Sequence, residues 1–256
     1  MSFAMGLRYW TSPLLSREAR AVHAITRGDF NMALTVGADM AGTVERRGWV
    51  GRDLELPFDR LTVGRQVHGD RVIVVDGELI GSGRDRVNLR IDEADGLVTD
   101  RPNVPLMALS ADCCLLTVFE PARPAIGVAH AGWRGAAAGI AGVLVRTMVD
   151  NYDARPATLV AVIGPCAGVC CYAVKEDVVA AFDDNGHDAS AVFERREDAT
   201  YLDLAAANLR QLESAGISRG RIDVAGICTI CSDDFFSYRR LGPRTGQFAL
   251  VAAIRP

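Results

Sequence analysis

The chain has 256 residues, 49% of them hydrophobic and 23% charged, with a formal charge of −4. That is enough apolar sequence for one large α/β domain or two small ones, and it excludes a disordered chain. The mild negative charge argues against a nucleic acid or an anionic membrane held by bulk charge, while leaving room for a local basic pocket.

The segment up to about Arg60 is mixed in pattern. Beyond it, Arg71 to Val75 is a β-branched run closed by the turn signal Asp76-Gly77. Gly96 to Thr99, Leu106 to Leu109 and Leu115 to Phe119 read as further strands. Ala125 to Ala129 is small and apolar on both faces, as in a strand covered on both sides, and it ends at His130. Ile140, Val143, Leu144 and Met148 recur at helical spacing and predict a helix through Asn151. Leu159 to Ile163 is a strand stopped by Gly164-Pro165. Val174 to Phe182 and Leu202 to Ala215 read as helices, the second with Asp203 near its start. Ile222 to Ile230 and Gln247 to Ile254 close the chain as strands. Without repeats, linkers or strict βαβ alternation, one continuous domain over residues 1–256 with a mixed sheet, α/β or α+β, is expected.

No apolar run reaches transmembrane length, and the first eight residues lack the charged-then-apolar order of a signal peptide, so a cytoplasmic location is expected. Seven cysteines, with Cys113–Cys114 and Cys170–Cys171 adjacent, suit reduced thiols better than a disulfide framework.

Three residues stand where strand-like runs stop: His68 in Gln-Val-His-Gly, Cys113 in Ala-Asp-Cys-Cys, and His130 in Ala-His-Ala-Gly-Trp-Arg-Gly. Two imidazoles and a thiolate are a known ligand set for a catalytic zinc with an open fourth position. A lone histidine is more often a satisfied polar residue, and a lone cysteine a small hydrophobe; convergence in space decides between the readings. Asp112 beside Cys113 is a candidate acceptor for a ligand imidazole. Gly132-Trp133-Arg134-Gly135 offers an aromatic face, a guanidinium and a helix start suited to an anion such as phosphate; the plainer reading puts Trp133 in the core and Arg134 on the surface. Cys166 and Cys170 with Cys228 and Cys231 invite comparison with a four-thiolate zinc site, although their spacing is looser than a zinc ribbon's. Gly81-Ser82-Gly83 precedes no helix pattern and reads as a turn. Phe235 to Arg240 could stack a base and bind phosphate, or form a packed strand edge with solvated arginines.

Taken in order, Arg-Gln-Val-His-Gly, Ala-Asp-Cys-Cys-Leu-Leu, Val-Ala-His-Ala-Gly-Trp-Arg-Gly, Ile-Gly-Pro-Cys-x3-Cys-Cys-Tyr, Cys-Thr and Phe-Phe-Ser-Tyr-Arg-Arg resemble the polyphenol oxidase (laccase-domain) family. Its members are mostly described as purine nucleoside phosphorylases with added adenosine deaminase activity. The resemblance spans roughly Gln66 to the C-terminus. It implies a single layered α/β/β/α domain, similar to cysteine-hydrolase-like toxin domains, and a metal, usually zinc, held by His68, Cys113 and His130. The substrates implied are adenosine, inosine or methylthioadenosine with phosphate, placed by Arg27, Arg134 or Arg239, in a monomer or homodimer. The family's N-terminal Thr-Arg-x-Gly-Gly-Val-Ser loop is reduced here to Thr26-Arg27-Gly28-Asp29-Phe30-Asn31, and Ala173 stands where a Glu is common. Two other readings accompany the resemblance. One is copper-dependent phenol oxidation; the other is a peptidoglycan-editing hydrolase with Cys113 as nucleophile and His130 as base.

Overall fold

The structure is a computed structural model that describes residues 9–28, 30–35 and 39–256. Its strands are β1 (Tyr9–Trp10), β2 (Ala21–Thr26), β3 (Thr62–Val63), β4 (Val72–Val74), β5 (Gly96–Thr99), β6 (Leu106–Ser110), β7 (Cys114–Glu120), β8 (Ala125–Ala131), β9 (Val160–Ile163), β10 (Ala173–Val174), β11 (Phe193–Arg195), β12 (Thr200–Leu202), β13 (Ile222–Val224) and β14 (Phe248–Ile254). Its helices are α1 (Met40–Asp53), α2 (Trp133–Ala137), α3 (Ile140–Tyr152), α4 (Glu176–Asp184), α5 (Leu204–Ser214) and α6 (Tyr238–Leu241).

Two mixed sheets carry the fold, in the orders β1-β2-β14-β6-β3 and β13-β9-β7-β8-β5-β4, with a small β10-β12-β11 sheet beside them. The period of two along β14 shows how they stack. Phe248, Leu250, Ala252 and Ile254 share a core with Leu115, Phe119, Ile126 and Val128 of the other sheet. Ala249, Val251 and Ala253 face the opposite way, among Val50 of α1 and Leu54 just beyond its end. On the second sheet, Cys114, Leu116 and Val118 turn instead to Ile140, Leu144 and Met148 of α3 and to Leu204 and Leu212 of α5. The layers are therefore helix, sheet, sheet, helix, as the resemblance implies. Removing a side chain such as Phe119 or Phe248 from the inter-sheet core should cost about 3–5 kcal/mol.

The small residues of β8 now have a reason. A Cβ on Gly127 would come within 2.8 Å of Leu144 Cδ1 and 2.9 Å of Val98 Cγ1, so this face lies tight against α3. His130 has the parity of Ile126 and Val128, which places its ring at the end of the gap between the two sheets.

Several expected boundaries shift. The initial mixed segment contains β1, β2 and α1, the last held by the buried guanidinium of Arg47, which donates to the carbonyls of Met32, Gly83 and Arg84. Ile222 to Ile230 is a strand only to Val224; the rest is a turn-rich loop, because only β13's three residues pair with β9. The segment from Val174 to Phe182 divides into β10 and α4, with Lys175 between them. Phe235 to Arg240 is no strand edge: Phe235 is buried against Phe248, and α6 starts at Tyr238, with Ser237 accepting from the Arg240 N–H.

Candidate functional site

β7 and β8 are antiparallel neighbours, with Leu115 opposite His130 and Cys114 opposite Ala131. Cys113 thus enters β7 beside His130. A hydrogen bond from Ser110 Oγ to the Cys113 carbonyl, at 2.7 Å, fixes its backbone. His68 comes from a separate loop. Gln66 ties that loop to β6, its side chain bonding both the N–H and the carbonyl of Leu109 at 2.8 Å. His68 itself has φ +64, a left-handed conformation uncommon outside glycine and held here by its surroundings.

One buried carboxylate connects the two histidines. Asp95 accepts the backbone N–H groups of Val67, His68 and Gly69 at 2.9–3.0 Å, and its Oδ1 lies 2.9 Å from His130 Nδ1. With Nδ1 so engaged, Nε2 is the His130 nitrogen left for a ligand. The His68 and His130 rings meet edge to face, centroids 4.9 Å apart. The donor atoms of His68, Cys113 and His130 all lie within 4.8 Å of one another.

The electrostatics of this cluster run against burial. Burial alone would raise the Cys113 thiol, but the His130 charge and hydrogen bonds from both histidines outweigh it and hold the thiol below its ordinary value. Burial would likewise depress His130, yet the Cys113 charge and Asp95 push it up. A thiolate and two imidazoles with this spacing fit a zinc or copper ion. The same thiolate–imidazole pair is also what a cysteine nucleophile needs.

Two glycines keep the cluster compact. A Cβ on Gly132 would sit 2.9 Å from His68 Cδ2 and 3.0 Å from Cys113 Sγ. One on Gly135 would sit 2.8 Å from the Gly69 carbonyl.

The three residues line a cavity of about 700 Å³, together with Arg90, Arg134, Arg239, Trp133, Tyr172 and Tyr238. Arg134 stacks on Trp133 with its guanidinium carbon 4.0 Å from the ring centroid. Arg239 donates to the Ala173 carbonyl at 2.8 Å and lies 5.0 Å from the Tyr172 centroid. Its own backbone N–H is accepted by Asp112 at 2.7 Å.

Of the residues singled out in the sequence, His68, Cys113, His130, Arg134 and Arg239 meet in this cavity. Arg27 does not line it; its guanidinium pairs with Asp234 and lies 6.0 Å from the Phe235 centroid. Asp29 of the shortened loop lies outside the described residues. Asn31 accepts the N–H groups of Ala33 and Gln247, closing that loop onto the start of β14. Asp112 is not the imidazole's acceptor. Its φ of +99 turns the carboxylate toward Thr229 and Arg239, and Asp95 holds the imidazole instead. The helix after Gly132 is only the five residues of α2. Sequence reasoning missed Asp95, Arg90 and Tyr172; a Tyr directly after two cysteines and an Asp-Gly before a strand were the available signals.

A second cluster lies elsewhere. Cys170, Cys171, Cys228 and Cys231 have their sulfurs within 4.8 Å of one another. Cys166, expected in that set, is buried as part of the helix-side core with Cys114.

The family model for multi-copper polyphenol oxidoreductase laccase matches residues 16–255. A purine nucleoside phosphorylase, YlmD, of Geobacillus stearothermophilus is 35% identical over 220 residues, 85% of this chain and 80% of that protein. An adenosine deaminase, RL5, of an unknown prokaryotic organism is 29% identical over 220 residues, 85% of this chain and 84% of its own. The crystal structure of the Geobacillus YlmD superposes with a TM-score of 0.91 at 31% identity, covering 100% of this chain and 98% of that one. By fold, motif order and this match, the chain belongs to the laccase-like polyphenol oxidoreductase family, whose relatives carry the names purine nucleoside phosphorylase and adenosine deaminase.

Proposed function

We propose that the protein is a zinc-dependent purine nucleoside enzyme. It cleaves adenosine, inosine and S-methyl-5'-thioadenosine with inorganic phosphate, and it hydrolytically deaminates adenosine. The observation that carries this reading is the placement of the His68–Cys113–His130 donor set in one cavity with the guanidinium groups of Arg134 and Arg239. A cavity of about 700 Å³ falls in the range of small-ligand sites. The names of the relatives supply the substrate class.

His68, Cys113 and His130 would hold the zinc, which supplies Lewis acidity when bound. In phosphorolysis a phosphate oxygen bonds to the anomeric ribose carbon as that carbon's bond to the purine nitrogen breaks. The purine leaves with the electron pair and takes up a proton. Arg134 and Arg239 place and partly neutralise the phosphate, and the exposed ring of Tyr238 offers the purine a face. Burial, with the Cys113 charge beside it, pushes the Tyr172 phenol up, so it stays a hydrogen-bond donor at neutral pH. In deamination, water adds at the purine carbon bearing the amino group and ammonia departs. Reduced thiols and small-molecule substrates fit action in the cytoplasm.

The family description also favours a copper reading, and this donor set accepts copper. The chain has four histidines, however. Of the other two, His23 packs on Trp10 and His187 Nε2 lies 3.0 Å from the Ala137 carbonyl. No histidine remains for a multinuclear copper centre.

The test is product analysis of adenosine incubated with and without phosphate, alongside metal analysis of the purified protein. Adenine appearing only with phosphate, inosine in both cases and zinc in the protein are expected. Phosphate-independent chemistry alone would overturn phosphorolysis, and oxygen uptake with a phenol after copper loading would favour oxidation.

A further inference from the structure

Independently of the catalytic reading, we infer that Cys170, Cys171, Cys228 and Cys231 form a second, structural zinc site that clamps two loops beneath the cavity wall. The four residues come from two segments 57 positions apart in the chain (228 − 171 = 57), and their sulfurs all fall within 4.8 Å. In a tetrahedral zinc site, with bonds of about 2.3 Å, the sulfurs lie about 3.8 Å apart. Here Cys170 and Cys231 are 3.6 Å apart, and Cys171 and Cys231 3.1 Å. Cys231 lies at the centre of these short contacts.

The backbone around the sulfurs is shaped for thiolates. Gly168 N–H donates to Cys228 Sγ at 3.3 Å. Gly168 is required for this approach. A Cβ there would meet Cys228 Cβ at 3.0 Å and the sulfurs of Cys170 and Cys228 at 3.4 Å.

Four thiolates around one zinc leave a net charge of −2, and two arginines stand against the loops that carry them. Arg196 donates to the carbonyls of Val169 and Cys170. Arg240 donates to those of Thr229, Ile230 and Phe235. Soft sulfur ligands in a tetrahedral set select zinc or an iron–sulfur centre, and a single compact ion suits this spacing.

The position explains what the clamp does. Tyr172 follows Cys171 directly and lines the cavity, as does Arg239, whose guanidinium spans Tyr172 and the Ala173 carbonyl. A zinc joining the two loops fixes the Tyr172–Arg239 wall, and its binding free energy adds to the stability of both loops.

The test uses protein purified under reducing conditions without chelator. The double variant His68→Ala/Cys113→Ser, which lacks the first site, should retain about one zinc per chain. Its cobalt(II) form should show the strong thiolate charge-transfer and tetrahedral bands of a four-sulfur site, absent when Cys170→Ser/Cys231→Ser is added. X-ray absorption at the zinc edge of the unmutated protein gives a reading that needs no variant. It should show more sulfur neighbours per zinc than the one that the first site alone supplies. A folded His68→Ala/Cys113→Ser protein that takes up neither zinc nor cobalt would overturn the proposal. So would a Cys171–Cys231 disulfide, found by mass spectrometry in freshly isolated protein.

Discussion

Asp95 Oδ1 lies 2.9 Å from His130 Nδ1 while the same carboxylate holds the backbone N–H of His68. One buried acid thereby sets the orientation of one imidazole and the loop position of the other. Asp95→Asn preserves the shape and removes the charge that holds Nδ1–H. Zinc affinity at the three-residue site should fall about 10–100-fold, measured by competition with a chromogenic chelator. Unchanged affinity would mean that Asp95 is only a loop anchor.

Gly132→Ala tests how tightly the cluster is packed. The new methyl would lie 2.9 Å from His68 Cδ2 and 3.0 Å from Cys113 Sγ, so one ligand must move. The protein should fold, with a circular dichroism spectrum like that of the parent, and lose metal from the first site. Full occupancy in Gly132→Ala would show that the ligands sit further apart than the structure has them.

The basic residues separate by location. Arg239→Gln removes a guanidinium from the cavity and should raise the KM for phosphate about tenfold, a loss of about 1.4 kcal/mol, with a smaller change in the KM for adenosine. Arg27→Gln should change the phosphate KM much less, because that side chain is paired with Asp234 outside the cavity lining. Steady-state kinetics with phosphate varied at fixed adenosine checks both.

His23 should make the fold acid-sensitive. Burial holds its imidazole at about 4, below the ordinary 6.5, and Asp223 opposes this only in part; among the described residues neither ring nitrogen has a hydrogen-bond partner. Between those values the unfolded chain binds a proton that the folded chain refuses. Stability is therefore lost as pH falls from 6.5 toward 4, by about 3 kcal/mol in all, and is unaffected above 6.5. His23→Phe retains a ring against Trp10 and should flatten this part of the profile, read from urea midpoints between pH 7 and 4.5. A profile as steep as the parent's would place the acid sensitivity elsewhere.

Some of this was legible in the chain. The small apolar run before His130 reads as a doubly covered strand because α3 and the opposite sheet both press on it, leaving no space for large residues. His68, Cys113 and His130 stood out as candidates because each stands where a strand-like run stops, and the ordered motifs of the resemblance joined them into one proposed site. Asp95 was hidden because its role depends on a loop closing 27 residues away in sequence, at His68. Asp112 misled for the converse reason: adjacency to Cys113 says nothing of direction, and a φ of +99 turns the carboxylate toward Thr229. Cys166 looked like a partner of Cys170, but it belongs to the buried helix-side core, and Cys171 fills its place in the cluster.

The most direct test of the central claim is Cys113→Ala assayed for zinc content and phosphate-dependent adenine release on the same preparation. Cys113 is the sulfur of the candidate His68–Cys113–His130 donor set and lines the cavity with both histidines. Zinc at the first site and adenine release should fall together, while the fold, judged by its unfolding midpoint, persists. Full phosphorolysis by a folded Cys113→Ala protein whose first site holds no metal would contradict it.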